Sequence, residues 1–296
     1  MQLRHIPFKK MNGLGNDFAI IDARAGDVRL SAAAASAIAH RSHGAGCDQV
    51  IVLEPSRAAD IFMRILNADG SEVSACGNAS RCVAALMHPE LGRNRLTIET
   101  RAGVLSAEVA GSGLVTVDMG APRLRWDEIP LSRPFEDTRA IDLTFPLPDG
   151  RLLEKPCVVN VGNPHCIFWV EDSGAYDLAS FGGALENHLL FPERANISLA
   201  EIVESETPDR IKLRVWERGT GVTQACGTAA CAAAVAAART GRTGRAVSVE
   251  LPGGVLFIEW RAADDHILMS GPAEFEFEGV LHFNGDGLLA GVARPS

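Results

Sequence analysis

A short kernel, Ala-Cys-Gly-polar-Ala, occurs twice in this chain and constrains its fold more than any other feature. The first copy contains Cys76 and the second contains Cys226, 150 residues later. Weaker matches keep the same order and nearly the same offset, which shared Gly and Ala bias would not do. They link Gly15–Asp17 with Gly162–Pro164, Gln49–Glu54 with Asn196–Glu201, and Gly103–Leu105 with Gly254–Leu256. The repeat predicts two duplicated units of about 150 residues, an ordinary domain size.

Each repeat contains short β-branched runs and one Ala-rich, apolar run that begins at its cysteine. A helix that is apolar nearly all round is normally buried. We therefore expect an α+β fold of two pseudo-symmetric domains, each a mixed or antiparallel sheet wrapped around a central apolar helix, with the active site in the cleft between them. The predicted domains are residues 1–121 with about 273–296, and residues 122–272. The late strand Glu274–Phe283 is expected to return to the first domain, because chain ends often lie close together.

Charge and cysteine usage exclude several functional classes. The 296 residues carry a formal net charge of −9 without a long basic run, so nucleic acid and anionic membranes are poor partners. No apolar run approaches the roughly 20 residues of a membrane span. The odd count of seven cysteines, with no secretory signal at the N-terminus, indicates a reducing, cytoplasmic setting without a disulfide framework. The spacings of the cysteines do not predict a metal site.

The position of each kernel suggests a reactive thiol. A polar, Gly-containing turn precedes each cysteine, and the apolar run follows it, so Cys76 and Cys226 should lie at helix N-termini. Unpaired backbone N–H groups and the helix dipole favour anions there. The pKa of each thiol should consequently be lowered, and the same N–H groups could hold a substrate carboxylate. The helix after Cys76 is expected to end before Pro89.

Polar residues in the loops form a second set of candidates. Asn16 matches Asn163 in the repeat, and Gln49 matches Asn196. Any one of these asparagines could simply form a turn, but pairs at equivalent positions favour a binding role.

The repeat is broken at positions where an asymmetric substrate would need different contacts. Asn67 aligns with Glu217, Ala68 with Arg218, and Phe18 with His165. Glu217 could bind an ammonium group and Arg218 a carboxylate, whereas a solvated ion pair is the simpler alternative. His165 could tune a thiol pKa or relay a proton, or it could be an ordinary loop histidine.

The candidate residues lie in a series of short motifs, which are Gly-Leu-Gly-Asn16-Asp-Phe, Gly-Cys-Asp-Gln49, Asn67-Ala-Asp-Gly-Ser, Ala-Cys76-Gly-Asn78, Gly-Asn163-Pro-His165, Glu-Arg-Ala-Asn196, Glu217-Arg218-Gly and Ala-Cys226-Gly-Thr228. Together these motifs resemble the diaminopimelate epimerase family over about Lys10 to Pro272. Ala79 and Ala229 stand where many members have Gly, and Thr228 stands where many have Ser.

The resemblance implies an epimerase that interconverts LL- and meso-diaminopimelate without pyridoxal phosphate, another cofactor or a metal. Cys76 would be the proton donor and Cys226 the acceptor in the forward direction, with His165 and Glu217 tuning the thiols. The partner would be the small-molecule substrate, and family precedent suggests a homodimer. The implied substrate-binding residues are Asn16, Gln49, Asn67, Gly77, Asn78, Asn163, Asn196, Glu217, Arg218, Gly227 and Thr228.

Three alternatives remain open from the sequence. A proline or hydroxyproline racemase would also use two cysteines, although a cyclic substrate has no second charged head for Glu217 and Arg218. A binding protein that lost catalysis would not need both cysteines. A redox protein could use them as a pair.

Overall fold

The computed structural model describes residues 4–26, 28–203, 209–284 and 289–293. The chain divides into two compact units. Unit 1 is Met1–Val117 with Gly271–Ser296, and unit 2 is Asp118–Ser270.

Unit 1 is built from short strands and two helices, α1 and α2, and the last part of the chain returns to it. Strand β19 pairs antiparallel with β1 along most of its length, which confirms the predicted return of Glu274–Phe283. The elements are β1 (Arg4–Gly13), β2 (Asn16–Asp22), α1 (Ala32–Ala39), β3 (Gln49–Glu54), β4 (Ile61–Asn67), β5 (Glu72–Val73), α2 (Gly77–Leu91), β6 (Arg95–Thr100), β7 (Gly103–Val109), β8 (Val115–Asp118, which ends at the unit boundary), β19 (Glu274–Phe283) and β20 (Leu289–Ala293).

Unit 2 repeats this order after a connecting segment with its own small hairpin. The hairpin is formed by β9 and β10, which pair antiparallel. The elements are β9 (Thr144–Pro146), β10 (Leu152–Glu154), β11 (Cys157–Asn160), β12 (Pro164–Trp169), a 3-10 turn (Ser173–Ala175), α3 (Leu178–Glu186), β13 (Asn196–Val203), β14 (Arg210–Glu217), β15 (Gly221–Thr223), α4 (Gly227–Arg239), β16 (Ala246–Leu251), β17 (Gly254–Trp260) and β18 (Ile267–Gly271).

The strand pairings of the two units match element by element, which confirms the duplicated α+β fold with mixed sheets. In unit 1, β2 runs parallel to β3 and β4 parallel to β6, while β1–β2, β3–β4, β4–β5 and β6–β7 are antiparallel. In unit 2, β12 runs parallel to β13 and β14 parallel to β16, while β11–β12, β13–β14, β14–β15 and β16–β17 are antiparallel.

The register of the parallel pairs also agrees with the alignment made from the sequence. Phe18 lies opposite Gln49 in unit 1, and His165 lies opposite Asn196 in unit 2. Because a slip of one residue would turn every side chain to the other face of the sheet, this match places equivalent residues on equivalent faces.

The helices that follow the kernels are buried within their units, as predicted. The α4 side chains from Ala229 to Ala237 are all buried, and α4 contacts β11, β12, β13, β14, β16 and β17. Helix α2 is buried from Gly77 to Ala84 and contacts β1, β2, β6 and β7. Alanine suits these positions because a small side chain lets strands approach a helix closely on every side.

The predicted end of α2 before Pro89 is wrong. The helix continues to Leu91 and ends at Gly92, which adopts a left-handed conformation with φ 64° and donates its N–H to the His88 carbonyl. A proline in the last turn removes a single backbone hydrogen bond, whereas glycine at this position lets the chain leave the helix without a steric cost.

Candidate active site

Cys76 is the N-cap residue of α2, which confirms its predicted place at a helix start. Its backbone is extended, with φ −150° and ψ 110°, and its sulfur accepts the Ala79 N–H at 3.5 Å. The thiol is directed to the Asn16 Oδ1 at 3.8 Å, and the Asn78 Nδ2 donates to the same oxygen at 3.3 Å. Two predicted binding residues therefore surround one predicted catalytic thiol.

Gln49 and Asn67 lie on neighbouring strands and face each other. They are register partners of β3 and β4, and the Gln49 Nε2 donates to the Asn67 Oδ1 at 3.0 Å. The Asn67 Nδ2 donates onward to the Ser71 hydroxyl at 3.1 Å. Within the described chain, Gln49 Oε1 and Asn78 Oδ1 are buried without a hydrogen-bond partner. Because buried polar atoms are rarely left unpaired, these two oxygens are candidates for contact with a ligand.

Cys226 occupies the equivalent position in unit 2, as the N-cap residue of α4. Its sulfur lies 3.4 Å from the Thr228 Oγ1, and the residue is 5% exposed. Burial raises the pKa of the Cys226 thiol well above its usual value, and the negative charge of Glu217 raises it further. The predicted lowering of this pKa is therefore wrong, because desolvation of the thiolate outweighs the favourable effect of the helix N-terminus.

His165 is completely buried and forms its polar contact with Asn163. The Asn163 Oδ1 lies 2.8 Å from the His165 Nε2. Burial lowers the pKa of His165 to about 3, with a smaller contribution from the positive charge of Arg218. The ring is therefore neutral near pH 7. With Nε2–H donating to Asn163, Nδ1 is an acceptor, and it has no hydrogen-bond partner in the described residues.

Asn196 holds the turn that carries Arg218. Its Oδ1 accepts the Arg218 backbone N–H at 2.9 Å, and its Nδ2 donates to the Pro164 carbonyl at 3.0 Å. The Arg218 Nη1 donates to the Glu193 carbonyl at 2.9 Å. No carboxylate of the described residues pairs with the Arg218 guanidinium, so it is available to an anionic ligand. The preceding residue, Glu217, accepts the Thr223 hydroxyl at 2.5 Å.

Glu186 supports the same turn and was not predicted from the sequence. It is 4% exposed and accepts three hydrogen bonds, from Trp216 Nε1 at 2.7 Å, Gly219 N at 2.9 Å and Arg194 Nη1 at 3.0 Å. Gly182 makes room for this arrangement, since a Cβ there would lie 2.5 Å from the Trp216 Cδ2. A glutamate at the end of an ordinary helix offers no sequence signal for such a role.

We expect Glu186→Gln to loosen the 217–219 turn. The N–H₂ group of the new amide would face groups that can only donate, so a hydrogen bond would be lost. We expect the free energy of unfolding, measured in urea, to fall by about 1–3 kcal/mol. The KM for the substrate should also rise several-fold, because Arg218 lies within this turn. Glu201→Gln is the matched control, since Glu201 accepts from Ser173 and does not contact the turn. An equal rise of KM in both variants would contradict this role for Glu186.

Asn163 and Arg218 also line a polar cavity within unit 2, of about 370 Å³. Arg123 and Arg218 supply positive charge, and Asp127, Glu128 and Glu193 supply negative charge. This mixture of charges suits a zwitterionic group.

The described residues contain no cluster of three or more His, Cys, Asp or Glu side chains that could hold a metal ion. Likewise, none of the helices in the described ranges is long and apolar enough to span a membrane.

Comparison with known proteins relates both halves of the site to one family. The diaminopimelate epimerase family profile matches residues 8–125 and 157–276, which include both kernels. The chain belongs to the diaminopimelate epimerase family. A diaminopimelate epimerase of Rhodopseudomonas palustris (strain BisB18) is 54% identical over 280 residues, which cover 94% of this chain and 95% of that protein. One from Rhodospirillum centenum is 52% identical over 276 residues, with 93% and 91% coverage.

Solved structures show the same fold at lower sequence identity. A hydroxyproline epimerase from Agrobacterium vitis matches with a TM-score of 0.66 and 14% identity, covering 96% of this chain and 94% of that chain. A phenazine biosynthesis protein from Bacillus anthracis matches with a TM-score of 0.60 and 18% identity, covering 95% and 99%. At these identities the likeness concerns the fold and not the substrate.

Proposed function

We propose that this protein interconverts LL- and meso-2,6-diaminopimelate, consistent with its relatives, which are named diaminopimelate epimerases. The observation that carries the proposal is the pair of N-cap cysteines at equivalent positions of two duplicated units. A two-base epimerisation needs one base and one acid at the reacting carbon, and the duplication supplies two thiols that can exchange these roles.

In the proposed reaction one sulfur removes the α-proton and the other delivers a proton to the opposite face of the carbon. The C–H electron pair passes to the substrate as a carbanion and then forms the new C–H bond. In the forward direction Cys226 thiolate is the acceptor and Cys76 thiol is the donor, and the roles exchange in reverse. A thiol with a raised pKa gives a more basic thiolate, which suits the abstraction of a weakly acidic α-proton. Glu217, which hydrogen-bonds to Cys226, is placed to receive the thiol proton beforehand.

The helix starts would bind the α-carboxylate in this proposal. Backbone N–H groups in the first turn of a helix have no intrahelical partner, and here they belong to Gly77-Asn78 and Gly227-Thr228. They would stabilise the negative charge that grows on the carboxylate as the proton leaves.

The remaining residues would recognise the amino and carboxyl groups at the two ends of diaminopimelate. Asn16 and Gln49 would contact the ammonium group at the reacting carbon, and Arg218 would bind the distal carboxylate. Asn163, Asn196 and His165 support this region, His165 as a neutral ring that keeps Asn163 in place. Asn67 and Glu217 would take part in binding the amino-acid end of the substrate that lies away from the reacting carbon.

Exchange with solvent tests the reaction class directly. In D₂O, LL-diaminopimelate should epimerise and gain one deuterium at the inverted α-carbon, in metal-free buffer without added pyridoxal phosphate. L-Proline under the same conditions should not exchange. Exchange on proline alone would favour the proline racemase alternative. Absence of exchange on both substrates would contradict the proposed epimerase activity.

We also propose a cytoplasmic homodimer. Light scattering coupled to size-exclusion chromatography would give twice the chain mass of 31.5 kDa if this is correct.

A further inference from the structure

The Asp48 carboxylate lies directly behind Asn16, on the side away from Cys76. Asp48 Oδ2 accepts the Asn16 Nδ2 at 2.9 Å and the Asp17 backbone N–H at 3.1 Å. Its Oδ1 accepts the Arg41 Nη2 at 2.7 Å. Asp48 thus links a buried charge network to a residue that contacts the candidate proton donor.

This contact determines which end of the Asn16 amide faces the thiol. An ionised carboxylate can only accept hydrogen bonds, so the Asn16 N–H₂ must point toward Asp48. The Asn16 Oδ1 then points toward the Cys76 sulfur at 3.8 Å. The Asn16 side chain therefore offers the sulfur an acceptor, which stabilises S–H, whereas a rotated amide would offer a second donor beside the Ala79 N–H and stabilise the thiolate.

The network behind Asp48 joins the Asp17 and Asp48 carboxylates to Lys10 and Arg41. The Asp17 Oδ1 accepts the Asp48 backbone N–H at 2.8 Å, and its carboxylate also accepts Lys10 at 2.5 Å and Arg41 at 2.5 and 3.0 Å. Lys10 donates in addition to the Gly46 carbonyl. Burial opposes ionisation of Asp17, but the hydrogen bonds from Arg41 and Lys10 lower its pKa overall. Lys10 is 3% exposed and pairs with the Asp17 carboxylate, whereas Arg41 pairs with the carboxylates of both Asp17 and Asp48.

We propose that Asp48 is a positioning residue for the reaction, which orients the Asn16 amide so that Cys76 rests as a thiol ready to donate its proton. The inference rests on the proposed role of Cys76. In the forward direction of the proposed reaction Cys76 must carry its proton when the substrate binds, and the fixed Asn16 Oδ1 acceptor beside it favours that state. The charged groups in this network are Lys10 and Asp17 from the β1–β2 hairpin, Arg41 after α1, and Asp48 before β3.

The variant Asp48→Asn tests the proposal, because an asparagine can donate as well as accept and frees Asn16 to rotate. The rate of Cys76 alkylation by iodoacetamide, followed across pH by peptide mass spectrometry, reports its thiolate fraction. We expect the midpoint to move down by about one pH unit, a shift of the size that hydrogen bonding to the charged form produces. The kcat for LL-diaminopimelate should fall about tenfold, a part of what general acid–base catalysis contributes. Cys226 in the same digest is an internal reference and should keep its profile.

Asp60→Asn is the matched control for charge and local contacts. Asp60 is also in unit 1, where it accepts the Thr97 backbone N–H at 2.7 Å and an arginine, Arg93. We expect it to leave the Cys76 profile unchanged.

A double variant separates orientation from simple loss of charge. In an Asn16→Ala background, Asp48→Asn has no amide to reorient, so its effect on the Cys76 midpoint should disappear. A shift of equal size in that background, or an Asp48→Asn profile that overlays the parent, would overturn the proposal. Because alkylation needs no turnover, this result is independent of whether diaminopimelate is the substrate.

Discussion

Replacing either Cys76 or Cys226 by serine should lower kcat for diaminopimelate epimerisation by about 10²- to 10⁴-fold, the range that general acid–base groups contribute. Serine replaces the sulfur with a smaller oxygen, and its hydroxyl is a far weaker acid near neutral pH and is not ionised there. The measurement is the initial rate in each direction, with circular dichroism to verify folding.

The control variants are Cys82→Ala and Cys231→Ala. Both residues lie farther along the same helices and are completely buried. They should lose some stability, by about 1 kcal/mol or more for the cavity, yet retain turnover within a few-fold. Near parental rates in both serine variants would rule out the two-thiol reaction.

A substrate analogue with a leaving group on the β-carbon sharpens this test. Removal of its α-proton expels the leaving group and forms a C=C bond, so one base is sufficient. From the analogue isomer whose α-hydrogen Cys226 removes, the Cys76→Ser enzyme should still eliminate, while its epimerisation is lost. Loss of both reactions would indicate that Cys76 does more than donate a proton.

The second large effect is expected at Arg218. Arg218→Lys should raise KM for LL-diaminopimelate about 10- to 100-fold, because hydrogen bonds to charged groups each contribute about 1.5–3 kcal/mol and an ammonium cannot replace the planar fork of arginine. The backbone of this residue is already held by Asn196, so the substitution removes the side-chain contact without releasing the turn.

Arg210→Lys is the control for Arg218. Arg210 begins β14, the strand that ends just before Arg218, and is exposed, with Glu250 at 3.8 Å as its ion-pair partner. Its KM should match the parent. An unchanged KM for Arg218→Lys would assign that guanidinium to the solvated surface.

Much of the fold could be predicted because it depends on local sequence patterns and on their order along the chain. The repeat offset depends only on sequence order, and it correctly predicted two units with matching strand pairings. The capping position of both cysteines and the burial of the Ala-rich helices follow from local turn chemistry and side-chain size, which neighbouring residues largely determine. Asn16, Gln49, Asn67 and Asn78 were selected from motifs, and the structure brings them together in two contacting pairs within unit 1.

What the sequence could not determine depends on burial and on contacts between distant residues. A cysteine at a helix start was expected to have a lowered pKa, but desolvation in unit 2 and the carboxylate of Glu217 raise that of Cys226. Glu186 and Asp48 bind groups up to 33 residues away in the chain, so no local pattern marks them. The sequence by itself determined the duplication, the two capping thiols and the family. The protonation and orientation of the site were decided only by the tertiary structure, because the energies of charges and hydrogen bonds depend on which atoms folding brings within about 3 Å of each other and on how much water it removes.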